Sequence, residues 1–136
     1  MSYLLDTNVI SEPKKPKPNQ KVLDWMSSVS PNRLYISVLT IGEIRKGIEL
    51  NVSGKRKAVL TDWLENDVSA WFTGRVIVID EKVAEKWGEI SAENKNLPAI
   101  DGLIAASCLV YNLFLVTRNV KDFAGVHGLQ LLNPWK

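Results

Sequence analysis

Asp6, Glu43, Asp101 and Asp122, with Asn119 beside the last, are the residues whose types and settings could carry chemistry. Asp6 follows an apolar pair in Leu-Leu-Asp-Thr-Asn, where an aspartate leaving a strand can also cap a turn by accepting from amides two residues on. At about 100° per helical residue, Arg45, Lys46 and Glu49 share one sector, whereas Glu43 falls outside it on a stripe with Leu39, Gly47 and Leu50. A carboxylate on a packed side needs a partner or a cation, because burying it bare costs several kcal/mol. A nearby lysine would satisfy Glu43, and Gly47 one turn on leaves space beside it. Asp101 is the only charge in Pro-Ala-Ile-Asp-Gly-Leu-Ile-Ala-Ala-Ser-Cys-Leu-Val-Tyr. The helix dipole accounts for its place in the first turn at about 0.3 to 1 kcal/mol. The small residues Ala105 and Cys108 on the same face are expected to leave room above it. Asn119 and Asp122, in Val-Thr-Arg-Asn-Val-Lys-Asp-Phe, either shape the loop leaving a strand or complete a site with the other acids.

Three or four acids at strand ends and inward helix faces have reason to coexist if a cation neutralises them, since otherwise each raises the pKa of the others. All-oxygen ligation favours Mg²⁺ or Mn²⁺ over Zn²⁺, and one histidine and one cysteine cannot build a zinc site. Asp6, Asp101, Glu43 and Asp122 are the candidate ligands. A nucleophilic triad is not supported: His127 lies in Gly-Val-His-Gly, a turn-like surface context, and there is no Gly-x-Ser-x-Gly and no glycine-rich phosphate loop.

Positioning these groups falls to short apolar segments alternating with helical ones. Strands are expected at Tyr3–Leu5, Leu34–Ile36, Val76–Ile79, Leu113–Val116 and Leu129–Leu132. Helical patterns cover Asn19–Val29, Val38–Leu50, Lys55–Phe72, Glu81–Asn94 and Pro98–Tyr111, with Pro98 suited to a first helical position. Pro13–Pro18 reads as a surface loop. The alternation implies an α/β sandwich about a mostly parallel five-stranded sheet. In such folds working groups gather beyond the carboxyl ends of the strands, where Asp6, Thr117, Asn119 and Asp122 would meet.

With 136 residues, 46% of them hydrophobic and 24% charged, the whole chain, 1–136, is expected to be one domain. A chain of this length buries roughly two-thirds of its unfolded surface without staples. The single Cys108 excludes an internal disulfide, and no apolar run is long enough to span a bilayer; a cytoplasmic protein outside the membrane is expected. The net charge of +2 does not announce nucleic-acid binding. Lys14, Lys15 and Lys17, and Lys55, Arg56 and Lys57, are nevertheless clustered, either as solvated surface or as a phosphate-steering patch.

The chain resembles the PIN-domain nucleases, most closely the VapC/FitB-like toxins. The resemblance rests on Leu-Leu-Asp6-Thr7-Asn8-Val-Ile-Ser11-Glu, Ser37-Val-Leu-Thr40-Ile-Gly-Glu43-Ile-Arg-Lys-Gly47-Ile, Asp101-Gly-Leu-Ile-Ala-Ala, Thr117-Arg-Asn119-Val-Lys-Asp122-Phe123 and Asn133-Pro134-Trp135. Their order and spacing span nearly the whole chain. The resemblance implies Mg²⁺- or Mn²⁺-dependent endoribonuclease activity, a homodimer, and a small antitoxin that blocks the site and alone carries the contact with DNA. It matches Asp6, Glu43 and Asp101 to the three family acids. For the fourth position it leaves Asn119 and Asp122 as alternatives, with Thr7 and Thr117 as supports. Two other outcomes compete. A haloacid-dehalogenase-like phosphatase wants an aspartate two residues after the first, where Asn8 stands, as would a receiver-like domain an early acidic pair. A catalytically silent metal- or RNA-binding module would keep the site without turnover. Finally Val59, Leu60, Trp63, Leu64, Trp71 and Phe72 exceed what one helix needs against a sheet, and are divided between core packing and an antitoxin-binding face.

Overall fold

Tyr3, Leu4 and Leu5 form β1 (Tyr3–Leu5), in which all three side chains are buried. Tyr3 and Leu5 enter one hydrophobic cluster and Leu4 the other, the alternation a pleated strand imposes when both faces are covered. The computed structural model describes residues 1–136. After β1 come α1 (Thr7–Ser11), a 3-10 turn (Glu12–Lys14), α2 (Gln20–Ser28), β2 (Leu34–Ser37), α3 (Val38–Asn51) and α4 (Gly54–Asp62). A π-helical turn (Trp63–Val68) then runs into α5 (Ser69–Trp71), followed by β3 (Val76–Ile77), α6 (Glu81–Glu93), α7 (Ala99–Tyr111), β4 (Phe114–Val116), α8 (Val120–Phe123) and β5 (Leu131–Leu132).

The sheet has the order β3-β2-β1-β4-β5, and every pairing is parallel, with Leu4 opposite both Tyr35 and Leu115. The chain leaves β1 toward β2 on one side and later returns to β4 on the other. The carboxyl ends of β1 and β4 are therefore the point where the strand order reverses, and a crevice opens there. One core cluster joins β1 and β2 to α1 through α4 and the π turn, with Val9, Ile36, Ile44, Leu60 and Phe72 among its members. The other seats α6 and α7 on the opposite face through Val83, Ile90, Ile104, Ala105, Cys108 and Leu115.

The sheet has the five strands expected and all of its pairings are parallel, while several boundaries differ from expectation. β3 stops at Ile77, leaving Val78 57% exposed, and β5 begins only at Leu131; both are edge strands with a partner on one side only. The helical run Lys55–Phe72 begins at Gly54 and is broken by the π turn, which carries Trp63, Leu64 and Val68 into the core. Pro98 is extended, with ψ 148°, and precedes α7 instead of opening it. Helices α1 and α8, of five and four residues, are too short to show a period. Part of the expected Pro13–Pro18 loop is the 3-10 turn. On α3 the buried stripe is Thr40, Ile44 and Ile48, and Leu50 is exposed. Glu43 lies at the stripe's margin, half-buried.

Asn112 ends α7 in the left-handed conformation, φ 55°, so that the Leu113 N–H reaches back to the Cys108 carbonyl and β4 can start at once. Gly102 sets how closely α7 approaches α6: a Cβ there would lie 3.0 Å from Trp87 Cδ1. Gly102→Ala should push the indole aside and destabilise the protein by about 1–3 kcal/mol, read as a lower urea midpoint at an unchanged m-value.

Candidate active site

Because the strands are parallel, Asp6 leaves β1 at the same edge of the sheet at which Thr117 leaves β4. Helix α3 starts there, directly after β2, and α7, which feeds the opposite end of β4, presents its first turn there as well. Four sequence-distant stretches thus meet at one crevice.

Asp6 is 8% exposed and caps α1. Its Oδ1 accepts from the Thr7 N–H at 2.8 Å, and its Oδ2 accepts from the Thr117 hydroxyl at 2.8 Å. Thr117 Oγ1 in turn accepts from the Asn119 N–H at 3.1 Å. The Thr7 hydroxyl donates to Glu43 Oε1 at 2.9 Å, joining α1 to α3. Asp6 and Glu43 are therefore oriented by two threonines, each serving the site through its hydroxyl. Asp101, half-buried in the first turn of α7, accepts no hydrogen bond from the protein side chains or loops around it. Burial first, then the charges of Asp6, Glu43 and Asp122, hold its carboxyl above the ordinary aspartate range. That coupling places all four acids within one electrostatic neighbourhood. None of the four is in an ion pair: the lysine and arginine bridges go to Glu12, Glu49, Glu65 and Glu89. As they stand, no three of the acids converge closely enough to enclose an ion.

Asp122, in the first turn of α8, lines with Asp101 a polar cleft of about 510 Å³ that the Glu93–Pro98 stretch between α6 and α7 also lines. Asn119 is exposed and serves the cluster through its backbone N–H. Ala105 and Cys108 do not leave room above Asp101. They are fully buried against the sheet, which lets α7 settle closely on β1 and β4. Burial, with the nearby charge of Asp6, pushes the Cys108 thiol up, so it stays protonated and inert. His127 is exposed in its turn. Leu60, Trp63, Leu64 and Phe72 are core, whereas Val59 and Trp71, 57% and 54% exposed, remain on the surface. Trp63 therefore cannot be spared for a partner without loss of the fold.

Glu12, quoted within the first motif but not weighed as a functional acid, is 3% exposed. Its Oε2 accepts from the Asn19 N–H at 2.8 Å, and Lys15 Nζ lies 2.9 Å from its Oε1. Burial alone would raise its pKa; the Asn19 hydrogen bond, then Lys15 and more remotely Arg118, bring it below the ordinary glutamate range. Glu12 thus holds the turn that carries the chain from α1 into α2. Its only trace in the sequence is an acid inside a proline- and lysine-rich stretch, where solvation is the commoner explanation.

The PIN domain family model matches residues 3–128. Toxin FitB of Neisseria gonorrhoeae is 38% identical over 136 residues, covering 97% of each chain. The crystal structure of FitAcB from that organism superposes with a TM-score of 0.92 over 98% of both chains. VapC ribonuclease Y4jK of Sinorhizobium fredii is 33% identical over 137 residues, 98% of this chain and 97% of its own. A toxin-antitoxin complex from Klebsiella pneumoniae shares the fold at a TM-score of 0.72, with 26% identity over 98% of both chains. The family match over residues 3–128 and the likeness to these proteins over almost the full length show what the strand-end crevice and its acids suggest: the chain belongs to the PIN-domain family.

Proposed function

We propose that this chain is a divalent-metal-dependent endoribonuclease, the toxin of a toxin–antitoxin pair, acting as one domain over residues 1–136. The observation that carries the proposal is the uncompensated acidic crevice: four carboxylates sharing one field, with Asp101 raised first by burial and then by the other three, and no lysine or arginine paired with any of them. The names of the relatives, a toxin, a VapC ribonuclease and a toxin-antitoxin complex, support the same choice. By the same likeness a small antitoxin is the protein partner and DNA is reached only through it. A homodimer in the cytoplasm completes the proposal. No helix is long and apolar enough to cross a membrane.

The donor set suits Mg²⁺ or Mn²⁺, being all carboxylate oxygen. Asp6 and Asp101 would hold the cation directly, with Glu43, held by Thr7, and the exposed Asp122 completing its surroundings. When bound, the cation would supply Lewis-acid activation of water and offset the charge that develops on the phosphodiester. The protein's share is orientation. Thr117 and the Thr7 amide fix both oxygens of Asp6, the Thr7 hydroxyl fixes Glu43, and the buried floor of β1 and β4 keeps the crevice from collapsing. Asn8, which stands where a phosphatase would want its second aspartate, accepts the Arg118 N–H at 3.3 Å and ties α1 to the loop after β4.

Labelled single-stranded RNA incubated with and without Mn²⁺ tests the function: metal-dependent fragments are expected, and phosphate release from a phosphomonoester is not. The metal is tested by melting. A cation bound only by the folded protein at a hundred times its Kd adds about 2.7 kcal/mol, so Mn²⁺ should raise the melting temperature of the wild type well above that of Asp6→Asn. Equal responses would remove the shared cation from the account.

A further inference from the structure

The two basic runs, separated by about forty positions in the sequence, meet in the folded chain. Arg56, near the start of α4, donates to the Lys14 carbonyl at 3.1 Å. Together with Lys15 they line a cleft of about 230 Å³ that Thr7, Glu43 and Gly47 also line. The cleft therefore opens beside the acidic crevice, the two sharing Glu43. Within it Lys15 is neutralised by Glu12, and Lys57 of the same run is held by Glu49. Lys14 and Arg56 have no carboxylate partner. Lys14 Nζ stands over the buried Trp63 ring, 5.8 Å from its centroid, which positions the ammonium without cancelling its charge. Gly47 has no atom within 4 Å of the place a Cβ would occupy, so the cleft is open on the Glu43 side.

An anion is the ligand this arrangement suits. We propose that Lys14 and Arg56, brought together in the cleft that Glu43 also lines, bind a phosphate of the RNA backbone adjacent to the one that is cleaved. A phosphodiester chain that crosses the acidic crevice needs cations flanking it, because the carboxylates themselves repel every phosphate except one bridged by a metal. Lys14 supplies a point charge and Arg56 a planar fork of donors for a non-bridging oxygen pair. Contacts of this kind carry no sequence information and fix the register of the strand.

The inference rests on the ribonuclease proposal and is tested apart from it, by binding. The affinity of a fluorophore-labelled oligouridine is measured against salt concentration for a series of proteins that all carry Asp101→Asn, so that the strand stays intact. Each lost phosphate contact on a single strand should flatten the slope of log K against log salt by about 0.7. Lys14→Gln and Arg56→Gln should each do so, the pair should flatten it by about 1.4, and Arg56→Lys should restore most of the slope. Gly47→Glu gives a second route that removes neither cation: it places a carboxylate in the open space and should weaken binding at least tenfold. A helix interior accepts Glu more readily than Gly, so folding is not at risk. Unchanged slopes with undiminished binding by Gly47→Glu overturn the subsite, including the case in which the variants lose only their grip on a protein partner. Wild-type protein that binds RNA with the expected slopes and never cuts it would leave the subsite standing and remove the ribonuclease instead.

Discussion

Asp101→Asn is expected to slow RNA cleavage by at least a hundredfold, about 2.7 kcal/mol in the barrier, and at the same time to make the metal-free protein more stable. The two effects share one cause. Asp101 sits half-buried in the first turn of an otherwise apolar helix, where burial and then Asp6, Glu43 and Asp122 raise its pKa, so in the absence of a cation its charge opposes folding. Folded Asp101 binds its proton more tightly than the unfolded chain does. Metal-free wild type therefore loses stability as the pH climbs through the window between the ordinary aspartate value, 3.8, and the raised one. Below 3.8 the penalty is gone, and Asn never carries it. The melting temperature of Asp101→Asn in a chelator should thus exceed that of wild type at neutral pH, and the difference should shrink toward zero on acidification. With saturating Mn²⁺ the order should reverse, because only wild type gains the bound ion. For a chain of this size each kcal/mol is worth roughly 3–6 °C, well within reach of calorimetry. A variant that is inactive and also less stable in the chelator would mean that Asp101 supports the fold and that its removal tells nothing of a cation.

Much of this candidate site is legible in the sequence because its residues sit at topologically forced places. An aspartate directly after the first buried strand and a threonine directly after the fourth can only emerge at one edge if the strands are parallel. Alternation of short apolar strands with helices made that the expected arrangement. Periodicity did less well with Glu43. It separated this residue from Arg45 and Lys46 but chose Leu39 and Leu50 as its companions, whereas the packed stripe is Thr40, Ile44 and Ile48; a rotation of one position about the helix is beyond what an apolar pattern this weak can resolve. Ala105 and Cys108 misled in a different way. Small residues near an acid suggest space, yet here they are the reason there is none, since they let α7 close on the sheet. The hydrogen bonds that orient Asp6 and Glu43 join residues 111 and 36 positions apart, and such distant pairings leave no local mark. Trp63 shows the same limit. A π turn rolls it inward, and no regular helical wheel anticipates a register change of one residue.

The fourth acidic position gives the sharpest remaining choice, and the geometry argues for Asp122. Asn119 is nearer in sequence to the end of β4, but its contribution to the network is a backbone N–H donated to Thr117 Oγ1, which survives any side-chain replacement. Asp122 is carried round by the first turn of α8, its N–H bonded to the Asn119 carbonyl at 3.0 Å. It lines the same cleft as Asp101 and contributes to raising that residue's pKa. A carboxylate also offsets cation charge, which an amide cannot. Asp122→Asn should therefore reduce cleavage at least tenfold, about 1.4 kcal/mol in the barrier, and should lower the apparent affinity for Mn²⁺ in a melting titration. Asn119→Ala, which keeps the backbone donor, should cost less on both measurements. Since Asp122 is exposed and its side chain accepts no hydrogen bond, its replacement should leave metal-free stability close to wild type, so a drop in rate would report on the site and not on the fold. If Asn119→Asp instead strengthened metal binding or sped cleavage while Asp122→Asn changed neither, the two roles would be exchanged. Asp122 would then be a surface residue in the turn that delivers Phe123 to the core.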